Sequence, residues 1–203
     1  EAVDVTGTPT LTLSNNDVAT YQSGTGSTAL VFRTTITEGD TASADLSVSA
    51  YGGTIADSAG NAAAAATGDL GSVTVDGDAP DFASVAAADG DYGVGESFDI
   101  TVTWDEAVVV SGTPTITLSN GATVNYASGT GSNELTFTYT IGSGQTSSDL
   151  DYASTTALAL NGGTIQDAGG NNATLTLASP GDAGSLGANK ALVVDTTGPS
   201  VTN

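Results

Sequence analysis

The side chains able to do chemistry in this chain are almost all carboxylates, and their positions favour hard cations. In DGDAPD, Asp76, Asp78 and Asp81 crowd together beside Pro80. An oxygen-only cluster suits Ca²⁺, which takes about 6 to 8 oxygen ligands; an exposed linker rich in turn formers explains the same residues without a metal. The later stretch VDTTGPS keeps Asp195 in place of Asp76 and sets Thr197 and Ser200 where Asp78 and Asp81 stood. A second pair, Asp57 and Asn61 in DSAGN, returns as Asp167 and Asn171 in DAGGN. Asp starts turns well and Gly or Asn accepts positive φ, so a hairpin turn accounts for the pair, although such a turn also presents its carboxylate to an ion. DGDYGVGE, with Asp89, Asp91 and Glu96, has part of an EF-hand spacing without the flanking helices or the correctly placed Glu. It counts as a contributor to a loop-built calcium site. Asp45 and Asp149, in SADL and SSDL, recur as turn caps or ion ligands.

Other chemistries are closed by composition. The chain has no Cys or His, which removes thiolate and imidazole chemistry, and no Met. Two carboxylates suffice for glycoside hydrolysis, but these acids sit at repeated turns without converging, so the expectation is a non-enzyme. With 23 Asp and Glu against 2 Lys and Arg the formal charge is -21, which repels phosphate backbones and anionic lipid. No Gly-rich phosphate loop, basic patch, apolar run of membrane-spanning length or signal peptide is present, so the reading is a soluble mature segment without nucleic-acid partners or membrane insertion. Lys190 is a poor candidate for an isopeptide bond, having no partner lysine in the first repeat. Asn172 opens NAT, a glycosylation acceptor pattern that also arises by chance.

The elements that position these acids repeat. EAVDVTGTPTLTLSNNDVATYQSGTGSTALVFRTTI returns from Glu106 as EAVVVSGTPTITLSNGATVNYASGTGSNELTFTYTI, and VTVDGDAP returns as LVVDTTGP, ending at Pro199. The segment Asp81 to Asp105 has no counterpart before Glu1. The expected organisation is an incomplete module at 1–78, a complete one at 79–197, and the start of a further repeat or linker at 198–203, where Ser200 to Asn203 aligns with the strand after Pro80. Phe98, Ile100, Val102 and Trp104 alternate with Asp99, Thr101, Thr103 and Asp105, the pattern of a half-buried strand with the Trp in the core. Leu135, Phe137, Tyr139 and Ile141 share a face, and Leu30, Phe32, Thr34 and Ile36 keep that register, turning Arg33 outward. Further strands are expected at Phe82 to Ala86, Thr115 to Leu118, Ala122 to Ala127, Ala157 to Leu160, Ala173 to Ala178 and Ala191 to Val194. Ala62 to Ala66 has helical composition but is too short to nucleate, and its equivalent alternates, so it is expected as a strand. The insertions STTALALN and SPGDAGSLGANK are expected in loops. Many short strands between regular turns predict an all-β fold of tandem antiparallel β-sandwiches, the first lacking its first two strands.

At GTPTLTL, SGTGS, the GGTI plus DSAGN or DAGGN cluster, and VVDTTGP, the chain resembles the tandem bacterial immunoglobulin-like repeats of giant surface and adhesin proteins. The resemblance covers essentially the whole chain, twice, and implies a string of Ig-like sandwiches stiffened by calcium near module junctions. On this basis we expect a non-catalytic, secreted or cell-surface structural repeat of a stalk or fibre. Its partners would be adjacent repeats, or a neighbouring copy that supplies the first module's absent strands. The alternative is an adhesin domain whose loops bind glycan or host protein; Tyr21 and Tyr126 recur, while Tyr51, Tyr92, Tyr139 and Tyr152 are scattered.

Overall fold

In a computed structural model the described residues are 1–64, 67–189 and 191–200. The chain divides into two compact units, Glu1–Asp78 and Ala79–Asn203.

The second unit is built around one long strand. Its elements are β6 (Phe82–Ala87), β7 (Gly90–Gly93), β8 (Ser97–Ser111), β9 (Thr115–Thr117), β10 (Thr123–Ser128), β11 (Ser132–Thr140), β12 (Leu158–Ala159), β13 (Thr164–Gln166), helix α1 (Leu186–Asn189) and β14 (Leu192–Asp195). Period-two alternation in β8 buries Phe98, Ile100, Val102 and Trp104 on one face. β11 lies antiparallel along one edge of β8, with Leu135 opposite Val102, Phe137 opposite Ile100 and Tyr139 opposite Phe98. The other edge is shared by β6, which pairs with the first half of β8, and β13, which pairs with Val109 to Ser111. From β11 the sheet continues through β10 and β9 to β12. Its curled faces enclose Trp104, Phe137, Ile116, Leu135, Ile165 and Tyr152, each almost wholly buried. The Trp104 indole N–H donates to the Thr174 carbonyl at 3.1 Å, satisfying the one polar group of that ring.

Four expectations about the second unit are corrected here. The sheets are not all antiparallel, because β14 runs parallel to β7, Leu192 beside Gly90 through Asp195 beside Gly93. The end of DGDYGVGE is a loop as expected, but its start is the strand β7. Ala173 to Ala178 forms no strand. Its N–H groups go to separate segments, Ala173 to the Ile165 carbonyl, Thr174 to Pro80 and Leu177 to Thr155, and its carbonyls accept the Trp104 indole and the Tyr152 hydroxyl. No single neighbour is left to form a ladder. The insertion SPGDAGSLGANK holds the short helix α1, capped by Ser185, whose Oγ accepts the Ala188 N–H at 3.1 Å; Leu186 is wholly buried. Lys190 lies outside the described residues.

The first unit is a five-stranded antiparallel sheet of β1 (Asp4–Leu13), β2 (Val18–Ser23), β3 (Val31–Arg33), β4 (Ser47–Ala56) and β5 (Gly68–Asp69), in the order β3-β2-β1-β4-β5. Its pairings follow those of the second unit. Asp4, Val5 and Thr6 face Ala56, Ile55 and Thr54, as Val109, Val110 and Ser111 face Gln166, Ile165 and Thr164. Among the described residues its buried cluster is Leu13, Ala19, Leu46, Val48 and Val75, with Leu11 and Phe32 partly buried against it. β3 is three residues long where β11 has nine, and Ile36, expected on the buried face, is 39% exposed. Arg33 is exposed as expected. Ala62 to Ala64 forms no strand: Ala62 makes a single bridge to Ala56 and Ala63 donates to the Ile55 carbonyl, while Ala65 and Ala66 lie outside the described residues. The equivalent Asn172 and Ala173 make the same bridge and bond to Gln166 and Ile165.

Candidate functional site

Two features stand out, the acidic turns and an open apolar face on the first unit. In the turn DSAGN, Asp57 Oδ1 accepts the N–H groups of Ala59 and Asn61 at 2.9 and 2.8 Å, and Oδ2 accepts the Asn61 side-chain amide at 2.7 Å. DAGGN repeats this: Asp167 Oδ1 accepts from Gly170 and Asn171, and Oδ2 from the Asn171 amide at 2.7 Å. Gly60 and Gly170 take φ of 89° and 94°, the left-handed conformation that closes each loop. The Asn61 side-chain amide, followed by its backbone N–H, holds the Asp57 carboxyl below its ordinary range. At Asp167 burial pushes upward, but the hydrogen bonds from Asn171, Gly170 and Gly169 outweigh it and the carboxyl is again lowered.

The remaining acids are placed by local bonds. Asp76 and Asp78 are exposed at the end of the first unit, where the Asp78 N–H donates to Asp76 Oδ1 at 3.3 Å. In the second unit Asp81 Oδ1 accepts the Thr174 hydroxyl at 2.8 Å, and the Asp81 N–H donates to Asp105 Oδ1 at 2.8 Å beside the start of β6. Asp89 accepts the Ala191 N–H at 3.0 Å, Glu96 accepts Gly93 at 2.7 Å, and Asp91 is exposed in β7. Asp195 is lowered first by the Thr197 hydroxyl and then by its backbone N–H. Asp45 and Asp149 are exposed at bends. Sequence reasoning missed Glu106, half-buried at the middle of β8, whose carboxylate comes within 4.8 Å of that of Asp167. Its only signal was recurrence, as the partner of Glu1. Asp81, Asp89, Asp91 and Asp195 do not join this pair. A general acid needs a raised pKa, whereas Asp167 is lowered and both its oxygens are engaged within its own turn.

The apolar face lies within the first unit, a trough of about 340 Å³ bordered by Val3, Leu11, Leu30, Phe32, Ile55 and Ala63 among others. Each of these has a counterpart in the second unit by the repeat: Val108, Ile116, Leu135, Phe137, Ile165 and Ala173. All six counterparts belong to the closed core. The Tyr21 hydroxyl accepts the Thr25 N–H at 2.9 Å and Tyr126 accepts Thr130 at 2.9 Å, so both serve the SGTGS turns. No helix among the described residues is long and apolar enough to cross a membrane. No protein-family model, curated protein or solved structure gives a significant match to this chain.

Proposed function

We propose that the chain is a non-catalytic structural repeat of an extracellular bacterial stalk or fibre, made of Ig-like sandwich modules whose acidic turns gather calcium and whose partners are further repeats. The observation that carries the reading is duplicated scaffolding. The SGTGS turns are alike down to single bonds, with Ser27 and Ser132 each donating to the carbonyl of the preceding Gly24 or Gly129 at 2.7 and 2.8 Å. Tyr21 meets Phe32 edge-on at 5.9 Å, and Tyr126 meets Phe137 at 6.0 Å. Recurrent residues spent on holding turns and rings support a scaffold. A binding or catalytic site needs groups converging on a ligand.

Calcium enters through charge. A formal charge of -21 opposes compaction, and oxygen-rich turns are where a hard cation relieves it. The test is thermal unfolding and electron microscopy with calcium and after EDTA. Calcium should raise the midpoint and EDTA reverse the gain, with filaments or rods in the micrographs. Unchanged midpoint and particle length would remove calcium from the reading, and glycan-array hits without any filament would replace the scaffold with an adhesin.

A further inference from the structure

In the second unit β7 and β14 run parallel, with Leu192 beside Gly90 and Asp195 beside Gly93. Their shared direction matters because of where the chain enters and leaves the pair. It reaches β7 at Gly90, coming from β6, and it leaves β14 at Asp195, the opposite end of the ladder. Tension drawn along the chain through this unit therefore pulls the two strands lengthwise past each other, and the bonds between them bear it together. In an antiparallel hairpin entered and left at one end, the same tension would open the bonds one after another. We propose that the β7–β14 pair is a shear clamp, the element by which the second unit withstands tension along its chain. Such a clamp serves the stalk reading above, on which its purpose rests.

β14 is held from both sides. Val194 exchanges both of its backbone bonds with Ser147, at 2.8 Å each way, and the Leu192 carbonyl accepts the Leu150 N–H at 2.8 Å. Backbone groups alternate in direction along a strand, so those of Ala191, Val193 and Asp195 face β7. The Ala191 carbonyl accepts the Gly90 N–H at 3.2 Å and the Ala191 N–H donates to Asp89 Oδ1 at 3.0 Å, which fixes the register where β14 starts. Leu192 and Val194 are wholly buried. A slip of one residue along β7 would turn both away from the core, so the strands cannot creep past each other in small steps. Past the ladder the Thr196 hydroxyl accepts the Gly144 N–H at 3.2 Å and meets the Thr146 hydroxyl at 2.7 Å, holding the chain as it leaves β14. β6 lies upstream of the clamp. Its release from β8 would free only the chain before β7 and leave the β7–β14 bonds intact.

The chain has no cysteine, so pairs of introduced cysteines give unique handles for single-molecule force spectroscopy on the full chain. Asp78→Cys with Ser200→Cys, both at exposed positions, loads the clamp in shear. Val94→Cys with Ser200→Cys puts both handles at the end where Gly93 meets Asp195, so that the same bonds open one by one; Val94 is 54% exposed. At equal loading rate the first pair should unfold at a force at least about twofold higher than the second, because forced unfolding is set by the barrier on the pulled path. Its rupture should release about 400 Å of chain, the reach of the residues between the handles at ~3.4 Å each. Val193→Pro removes an N–H directed at β7 and should lower the force of the first pair toward that of the second. Equal forces in the two directions overturn the proposal. So does a Val193→Pro chain that folds and keeps the full shear force, since the barrier would then lie elsewhere, as at β6. Should Val193→Pro not fold, the comparison of directions decides alone. Single molecules are pulled without calcium or filaments, so the clamp and the stalk reading fail independently.

Discussion

Single residues carry the turns, and two glycines show how tightly. Gly129 has φ of 112° and a Cβ there would sit 2.1 Å from the Glu134 carbonyl oxygen; Gly24 has φ of 113° and meets Ala29 at 2.2 Å. Gly129→Ala combines left-handed strain with a backbone clash that has no flexible side chain to yield, and should cost the second unit about 3–4 kcal/mol in urea denaturation. Gly131→Ala, at φ of 86° with open space around it, should cost about 1–2 kcal/mol. Asp167 makes a pH-dependent contribution. Its carboxyl is lowered from 3.8 in the folded chain, so its stabilisation is complete above that value and is lost as the pH falls through the lowered folded-state value. Denaturation at neutral and acid pH should show Asp167→Ala destabilising the second unit by about 1–2 kcal/mol at neutral pH, with the difference from wild type shrinking on acidification. An undiminished difference in acid would mean that the side chain acts through packing alone.

At the scale of elements, the two sheets share pairings but not closure. The second unit has β6 and a full β8 over its core, whereas the first leaves Val18 and Val31 half exposed and buries five apolar side chains in its main cluster. Local stability follows buried apolar contact, so the first unit should unfold at lower denaturant. The only Trp of the chain, Trp104, lies in the second unit, and its fluorescence should report the later transition alone while far-ultraviolet circular dichroism records both. One coincident transition by both probes would sink this expectation. Trp104→Ala removes the largest wholly buried side chain and should lower the second transition by about 3–5 kcal/mol. Alternation made β8 and β11 legible in the sequence, because each keeps one face in the core along most of its length. Ala173 to Ala178 alternates as well and is not a strand, because its backbone groups bond to separate segments and to the side chains of Trp104 and Tyr152.

For the molecule as a whole, the charge sets the conditions of stability. With -21 at neutral pH and two cationic side chains, self-repulsion is spread over both units. Urea midpoints should rise with sodium chloride and rise further per unit of ionic strength with calcium; equal responses at matched ionic strength would show that screening acts without specific ion binding. The recurrence of Asp57 with Asn61 and Asp167 with Asn171 was legible from spacing. The approach of Glu106 to Asp167 was not, since it joins the middle of β8 to the turn after β13 across sixty residues of chain.

The sequence by itself determined the strand-forming faces, the repeated turns and the exclusion of thiol and imidazole chemistry, because alternation, glycine placement and composition are local properties of the chain. Tertiary structure alone decided that β14 runs parallel to β7, that both oxygens of Asp57 and Asp167 are engaged within their own turns, and that residues equivalent by repeat are sealed in one unit and open in the other. These depend on which segments meet in space, and pairing partners distant along the chain leave no periodic mark on either segment.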